Sequence, residues 1–153
     1  MSRLELRVPP VAVLCTAALT MWLIARASPS SPLGPELRFG LAATLGLAGL
    51  ALAAAGVREF RGARTTVNPL RPAQAASIVT SGIYRHTRNP MYLGMLLLLA
   101  GWGAALGRTW PLLVLPVFVA YLNRFQIRPE ERALEQRFGA GFTGYAARVR
   151  RWL

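Results

Sequence analysis

The sequence predicts an all-α fold: a polytopic transmembrane bundle of about four spans, with a C-terminal helical hairpin and a cytosolic amphipathic tail. Three observations predict it. The chain of 153 residues is 54 % hydrophobic and only 16 % charged, with a positive mean hydropathy, which is unusual for a soluble domain. Four long runs, at 8–25, 39–57, 89–107 and 109–123, contain no charge, and a helix crosses the hydrocarbon in roughly 20 residues, within a range of about 17–25. The third observation is the placing of the 18 cations, all of them arginine.

Arg3 and Arg7 precede the first run, six arginines lie between 58 and 88, and seven follow the last run. Only Arg26, Arg38 and Arg108 fall in the other two connections. The positive-inside rule then puts both termini, the loop 58–88 and the tail 128–153 in the cytoplasm. The net charge of +12 is a topology and anionic-lipid signal. A nucleic-acid reading calls for a basic face on a soluble fold with base-stacking aromatics, and the apolar runs argue against it.

Each element follows from its residues, within one membrane domain covering 1–153. Span one, 8–25, opens at Pro9-Pro10, where the missing N–H groups cost nothing in a first turn. Its basic flank and apolar core resemble a signal peptide, but the bulky Trp22-Leu23-Ile24 before Ala25-Arg26-Ala27 favours a retained anchor. Cys15 is alone, so neither a disulfide framework nor a cysteine metal site is available within one chain. "SPSSPLGP" (28–35) is an external turn region.

Span two, 39–57, is rich in Gly and Ala. Gly46, Gly49 and Ala53 near one face predict close packing inside the bundle, and a generic Ala-rich span with no particular partner fits them equally well. "TTVNPLRP" (65–72) has two prolines and is no long helix, and "ASIVTSGIY" reads as a short strand or a turn. Spans three and four, 89–107 and 109–127, are separated by Arg108 alone and must form a tight hairpin. The fourth reaches 127 when Arg108 and Arg124 snorkel to the interfaces. Pro116 removes a helical hydrogen bond and predicts a kink.

The tail changes character. "RPEERALEQRFG" reads as a helix with Pro129 near its start and Gly139 as its stop. Phe138, Phe142, Tyr145, Val149 and Trp152 follow at 4-3-4-3 spacing. Such a stripe suits a broken helix that lies on the membrane surface or closes over the bundle.

Familiar catalytic sites are missing. There is no G-x-G-x-x-G after a strand and no P-loop. A lone His86, a lone Cys15 and no Asp make neither a His/Cys zinc site nor a Ser-His-Asp triad. Acid–base work falls to six glutamates, His86 and the tyrosines, which favours chemistry driven by a reactive cosubstrate and by positioning.

Two segments stand out. "YRHTRNPMYLG" (84–94) sets Arg85 and Arg88 at the start of an apolar helix, whose N-terminus attracts carboxylate or phosphate; the plainer account is a basic flank that anchors the span. "RPEERALEQRFGAGFTGYAARVRRWL" (128–153) places Glu130 and Glu131 side by side in an arginine-rich tail. Their carboxylates suit ribose hydroxyls, an ammonium or a sulfonium; the plainer account is an acidic first turn complementing the helix dipole.

In this order, around a tight hairpin, the two segments resemble the isoprenylcysteine carboxyl methyltransferase and phospholipid methyltransferase superfamily of integral membrane enzymes. The resemblance covers roughly residues 65–153 and includes the "TTVNP" and "VTSGIYR" typical of bacterial members. It implies a small helical bundle that binds S-adenosylmethionine in a cytosol-facing pocket between the last two spans and the polar tail, with no Rossmann domain. The family's Arg-His-Pro-x-Tyr-x-Gly segment falls on Arg88, Asn89, Pro90, Tyr92 and Gly94, and its Glu-Glu pair on Glu130 and Glu131, followed by Leu134, Phe138 and Gly139. Asn89 stands where the carboxyl methyltransferases carry histidine, and Asn-Pro-Met-Tyr is closer to the phospholipid N-methyltransferase version.

The resemblance therefore implies methyl transfer from S-adenosylmethionine to a lipophilic or membrane-associated acceptor, in a bacterial inner membrane. Two rival readings stand beside it. A membrane reductase related to the sterol reductases would retain a reduced nicotinamide and no S-adenosylmethionine. A non-enzymatic accessory protein would tolerate Gln at both Glu130 and Glu131. Gly101-Trp102-Gly103 invites a cofactor reading but fits helix packing better.

Overall fold

The computed structural model describes residues 5–64 and 75–153; the irregular loop expected at 65–72 lies outside them. Six α-helices follow in order: α1 (Pro10–Ala25), α2 (Pro35–Gly62), α3 (Pro90–Leu106), α4 (Val114–Leu122), α5 (Arg128–Phe138) and α6 (Ala140–Arg148). Among the described residues there is no strand, only an isolated bridge between Ser30 and Arg108. "GIYR" forms a 3₁₀ turn, Gly82–Arg85.

Among the described residues two helices are long and apolar enough to cross a membrane, Pro35–Gly62 and Trp110–Phe138, the latter running from a 3₁₀ turn through α4 into α5. Little of either apolar stretch is buried, and exposed leucines such as Leu47 and Leu50 on α2 and Leu113 beside α4 need a hydrocarbon neighbour. The protein is therefore a membrane protein. Helices α1 and α3, with 16 and 17 residues, are shorter; at about 1.5 Å per residue each falls slightly short of a hydrocarbon core about 30 Å thick.

The core gathers one face of α1 (Ala17, Met21) with Tyr92 and Leu99 of α3, Phe118 and Leu122 of α4, and Ile127. Helix α2 is not inside this bundle, contrary to the expectation from its small residues. It lies on the flank and packs mainly on α3. The contact is close: a Cβ on Gly94 would stand 2.5 Å from the Gly49 carbonyl oxygen, and one on Gly49 would stand 2.6 Å from that of Gly94. Small residues permit that approach to one partner without supplying further neighbours.

Helix α3 ends at Gly107, whose φ of +60° is the left-handed cap that glycine adopts without strain. The hairpin to α4 is as tight as expected. Ser31 N–H donates to Gly107 O at 2.9 Å and Arg108 Nη1 to Ser28 O at 3.1 Å, while Arg38 abuts Gly107. The arginines of the two sparsely charged connections thus share one end of the bundle.

Pro116 does not break α4. The preceding Trp110–Leu113 is 3₁₀ and α4 begins at Val114, so Pro116 falls in a first turn, where its missing N–H is tolerated. The irregularity comes later, in a π segment at Asn123–Ile127. The tail helix has Pro129 in its first turn and stops at Gly139, as expected, and it follows α4 without a break through that π segment. Pro129 deprives the Phe125 carbonyl of its helical donor, and Leu6 N–H supplies a substitute at 3.1 Å. Gln126 Nε2 likewise donates to Val8 O at 2.5 Å. The N-terminal segment is thereby fastened to the end of the bundle opposite Arg108.

Candidate active site

The site assembles where α3 begins. The approach to it is fixed by α2: Ser81 Oγ donates to Glu59 Oε2 at 2.5 Å, and Gly82, with φ +54°, sits against the same carboxylate. A side chain there would meet both an unfavourable backbone and the Glu59 carboxylate. This turn delivers Tyr84, which is buried with its ring edge-on to Phe60 at 5.4 Å. Tyr145 of α6 donates its hydroxyl to Tyr84 O at 2.7 Å. Burial raises the pKa of Tyr145 to about 12 against the pull of the Arg88 charge, and burial also raises that of Tyr84. Both hydroxyls therefore keep their protons at neutral pH.

Thr87, Arg88 and Asn89 pair with the C-terminal segment. Arg88 N–H donates to Arg150 O at 3.0 Å, Asn89 Nδ2 to Arg151 O at 2.8 Å and Thr87 Oγ1 to Arg151 O at 3.3 Å. Asn89 is the N-cap residue of α3, yet its side chain makes no capping bond and serves this tie instead. Pro90 opens the helix, buried in its first turn.

The acids of α5 meet this framework from the other side. Arg88 Nη2 donates to Glu131 Oε1 at 2.9 Å and Nη1 to Ala146 O at 2.6 Å. Arg151 clasps the same carboxylate, with Nε 3.1 Å from Oε1 and Nη2 2.5 Å from Oε2, and this hydrogen bond raises the Arg151 pKa above its ordinary value. Glu131 therefore lies between two guanidinium groups. Glu130 takes a hydrogen bond from the Tyr92 hydroxyl, whose ring is buried in the core. Trp152 Nε1 donates to Asn123 Oδ1 at 3.1 Å, tying the C-terminus to the π segment.

Of the residues singled out in the sequence, Arg88, Asn89, Pro90, Tyr92, Glu130 and Glu131 converge on this end of the bundle. Gly94 does not: its contact is with Gly49 and Ala53 of α2. His86 is exposed. Sequence reasoning passed over Thr87, Tyr145 and Arg151. Tyr145 lies on the predicted aromatic stripe, whereas nothing in its spacing separates Arg151 from the other tail arginines. Two buried polar atoms here have no partner among the described residues, Arg88 Nε and the Tyr84 hydroxyl.

Residues 37–141 match the family model described as phospholipid methyltransferase. The chain belongs to the phospholipid methyltransferase family. Membership marks it as a methyltransferase acting on a membrane lipid-like substrate, and the match spans both Arg88–Gly94 and the Glu130–Glu131 pair. This phospholipid methyltransferase family member is also similar to an uncharacterized protein of Haemophilus influenzae, 43 % identical over 63 residues that cover 41 % of this chain and 100 % of that protein. No solved structure matches the chain at a significant level.

Proposed function

We propose that the protein transfers a methyl group from S-adenosylmethionine to a lipophilic, membrane-associated acceptor at the end of the bundle where α3 begins. One observation carries the reading: Arg88 and Tyr92 at the start of α3 each grip one of the adjacent acids of α5, Glu131 and Glu130. The polar set fits the donor. The unpartnered Arg88 Nε and Tyr84 hydroxyl suit the carboxylate of an amino-acid moiety, and a carboxylate complements a sulfonium or ammonium.

When bound, S-adenosylmethionine supplies a methyl group already activated on sulfur. The chain's task is placement, since alignment of reacting atoms near contact distance contributes several kcal/mol. Arg88 and the α3 N-terminus hold the donor's carboxylate or an acidic group of the acceptor. Glu130 and Glu131 lie on its ammonium or adenosine side. Asn89 and Pro90 shape the entry of α3, Tyr92 orients Glu130, and Gly94 sets the spacing of α2 and α3 behind the site.

A carboxylate acceptor needs no base. An amine must lose a proton, and we assign its receipt to the Glu130 carboxylate. The Asn-Pro-Met-Tyr form of the motif favours the amine of a phospholipid. The arginine distribution supports four spans, with the site and both termini cytoplasmic in a bacterial inner membrane.

Calorimetry on purified protein with S-adenosylmethionine and S-adenosylhomocysteine, paired with transfer of labelled methyl into a lipid extract, tests the reading. Binding by the wild type that is lost in Arg88→Ala and Glu130→Gln is the expected result. Unaltered affinity in both variants rejects the residue assignment, and no binding by the wild type rejects the donor.

A further inference from the structure

Away from the acids, α1 and α4 leave an apolar groove of about 630 Å³ between them, within the range of roughly 300–1,000 Å³ common for ligand pockets. Its walls include Ala17 and Ile24 of α1 and Val117 and Phe118 of α4. Thr16 and Thr20 also line it, but their hydroxyls donate to Ala12 O and Thr16 O at 2.9 and 2.8 Å. Those donors are satisfied within α1, so this wall suits a hydrocarbon occupant.

The groove ends at Val8 and Tyr121, and cations gather there. The Tyr121 ring lies 4.9 Å from that of Phe125, and the Arg124 guanidinium covers Phe125 at 5.3 Å. Glu5 accepts from Arg124 and Arg132, at 2.7 Å each. Two arginines eight residues apart that reach one carboxylate lie on one side of their helix. Arg128, four residues from each and exposed, completes the row between them. One carboxylate held by two guanidinium groups, with the exposed Arg128 between them, leaves a net positive end on an apolar groove.

We propose that this groove and its arginine row bind one anionic phospholipid of the bilayer, with an acyl chain between α1 and α4 and the phosphate at Arg124 and Arg128. The chemistry selects the occupant. Free phosphate would leave the groove empty, and a choline headgroup would bring a second cation to the arginines. The site is separate from that of Glu130, whose partner Tyr92 stands on α3, and does not depend on the identity of the methyl donor.

The test is native mass spectrometry of the whole protein in non-ionic detergent, given equal amounts of phosphatidylglycerol and phosphatidylcholine with identical chains. Retention of phosphatidylglycerol should exceed that of phosphatidylcholine by about tenfold, since each arginine near an anionic surface contributes about 1 kcal/mol. Arg128→Gln, which spares the Glu5 ion pairs, should bring the ratio close to one. Val117→Trp, filling the groove at a lipid-exposed position, should reduce retention of both lipids. Arg58→Gln with Arg61→Gln, at the end of α2, should leave the preference intact. The proposal is overturned by equal retention of the two lipids in the wild type, by an equal effect of the α2 pair, by undiminished retention in Val117→Trp, or by displacement with glycerol phosphate alone.

Discussion

Tyr92 and Glu130, 38 residues apart in the chain, meet as hydrogen-bond donor and acceptor. The ring of Tyr92 belongs to the apolar core while its oxygen reaches the acid, so one side chain couples bundle packing to site geometry. Leaving a buried acceptor without its donor costs roughly 1–3 kcal/mol. Tyr92→Phe keeps the ring and removes the donor. Methyl transfer in that variant should fall about ten- to a hundredfold in kcat/KM, with a modest loss of thermal stability in detergent from the missing hydrogen bond. Activity equal to the wild type would show that the pair serves packing only.

Arg88 and Arg151 share Glu131, and their contributions should not add. Removing either guanidinium leaves the other on the carboxylate; removing both strands it. A double-mutant cycle with Arg88→Ala and Arg151→Ala, read by thermal midpoint, should show a coupling of about 0.5–3 kcal/mol. The side chain of Arg151 is 33 % exposed against 13 % for Arg88, so its single replacement should cost less. Strict additivity would separate the two arginines.

Much of this arrangement was legible in the sequence. Arg88 to Gly94 and Glu130-Glu131 are contiguous motifs at the ends of apolar runs, and the runs themselves outline the helices. Arg151 was not, because its pairing with Glu131 is set by the way α6 folds back past Gly139. The flank position of α2 was hidden for a different reason: Gly49 and Ala53 show how closely a neighbour approaches, not how many neighbours there are. Pro129 marked the start of α5 correctly, but its continuity with α4 was hidden, because the lost hydrogen bond is replaced from Leu6, far away in the chain.

Gly94→Ala tests the α2–α3 contact. A methyl group 2.5 Å from the Gly49 carbonyl oxygen cannot be accommodated without parting the helices, and overpacking of this kind costs typically 1–3 kcal/mol. The variant should melt earlier in detergent while donor binding survives at low temperature. Gly46→Ala, where an added methyl group meets nothing within 4 Å, should be nearly silent.

Tyr145 gives a pH signature. Its hydroxyl has an ordinary pKa of 10.0 and is pushed to about 12 in the fold, chiefly by burial. A group whose folded pKa lies above its unfolded value contributes stability in full below the lower value and loses it as pH climbs through the higher one. The wild type should therefore lose stability between about pH 10 and 12 more steeply than Tyr145→Phe, in equilibrium unfolding followed across that range. Parallel curves would contradict the burial of this hydroxyl.

The π segment at Asn123–Ile127 governs direction. Its wider turn holds more residues than an α-turn, so every side chain beyond it is rotated about the axis relative to an unbroken α-helix. Deleting one residue inside it would shorten the chain by a trifle yet swing both acids through about a quarter-turn, away from Arg88 and Tyr92. Aim, rather than reach, is what those five residues confer on the carboxylates.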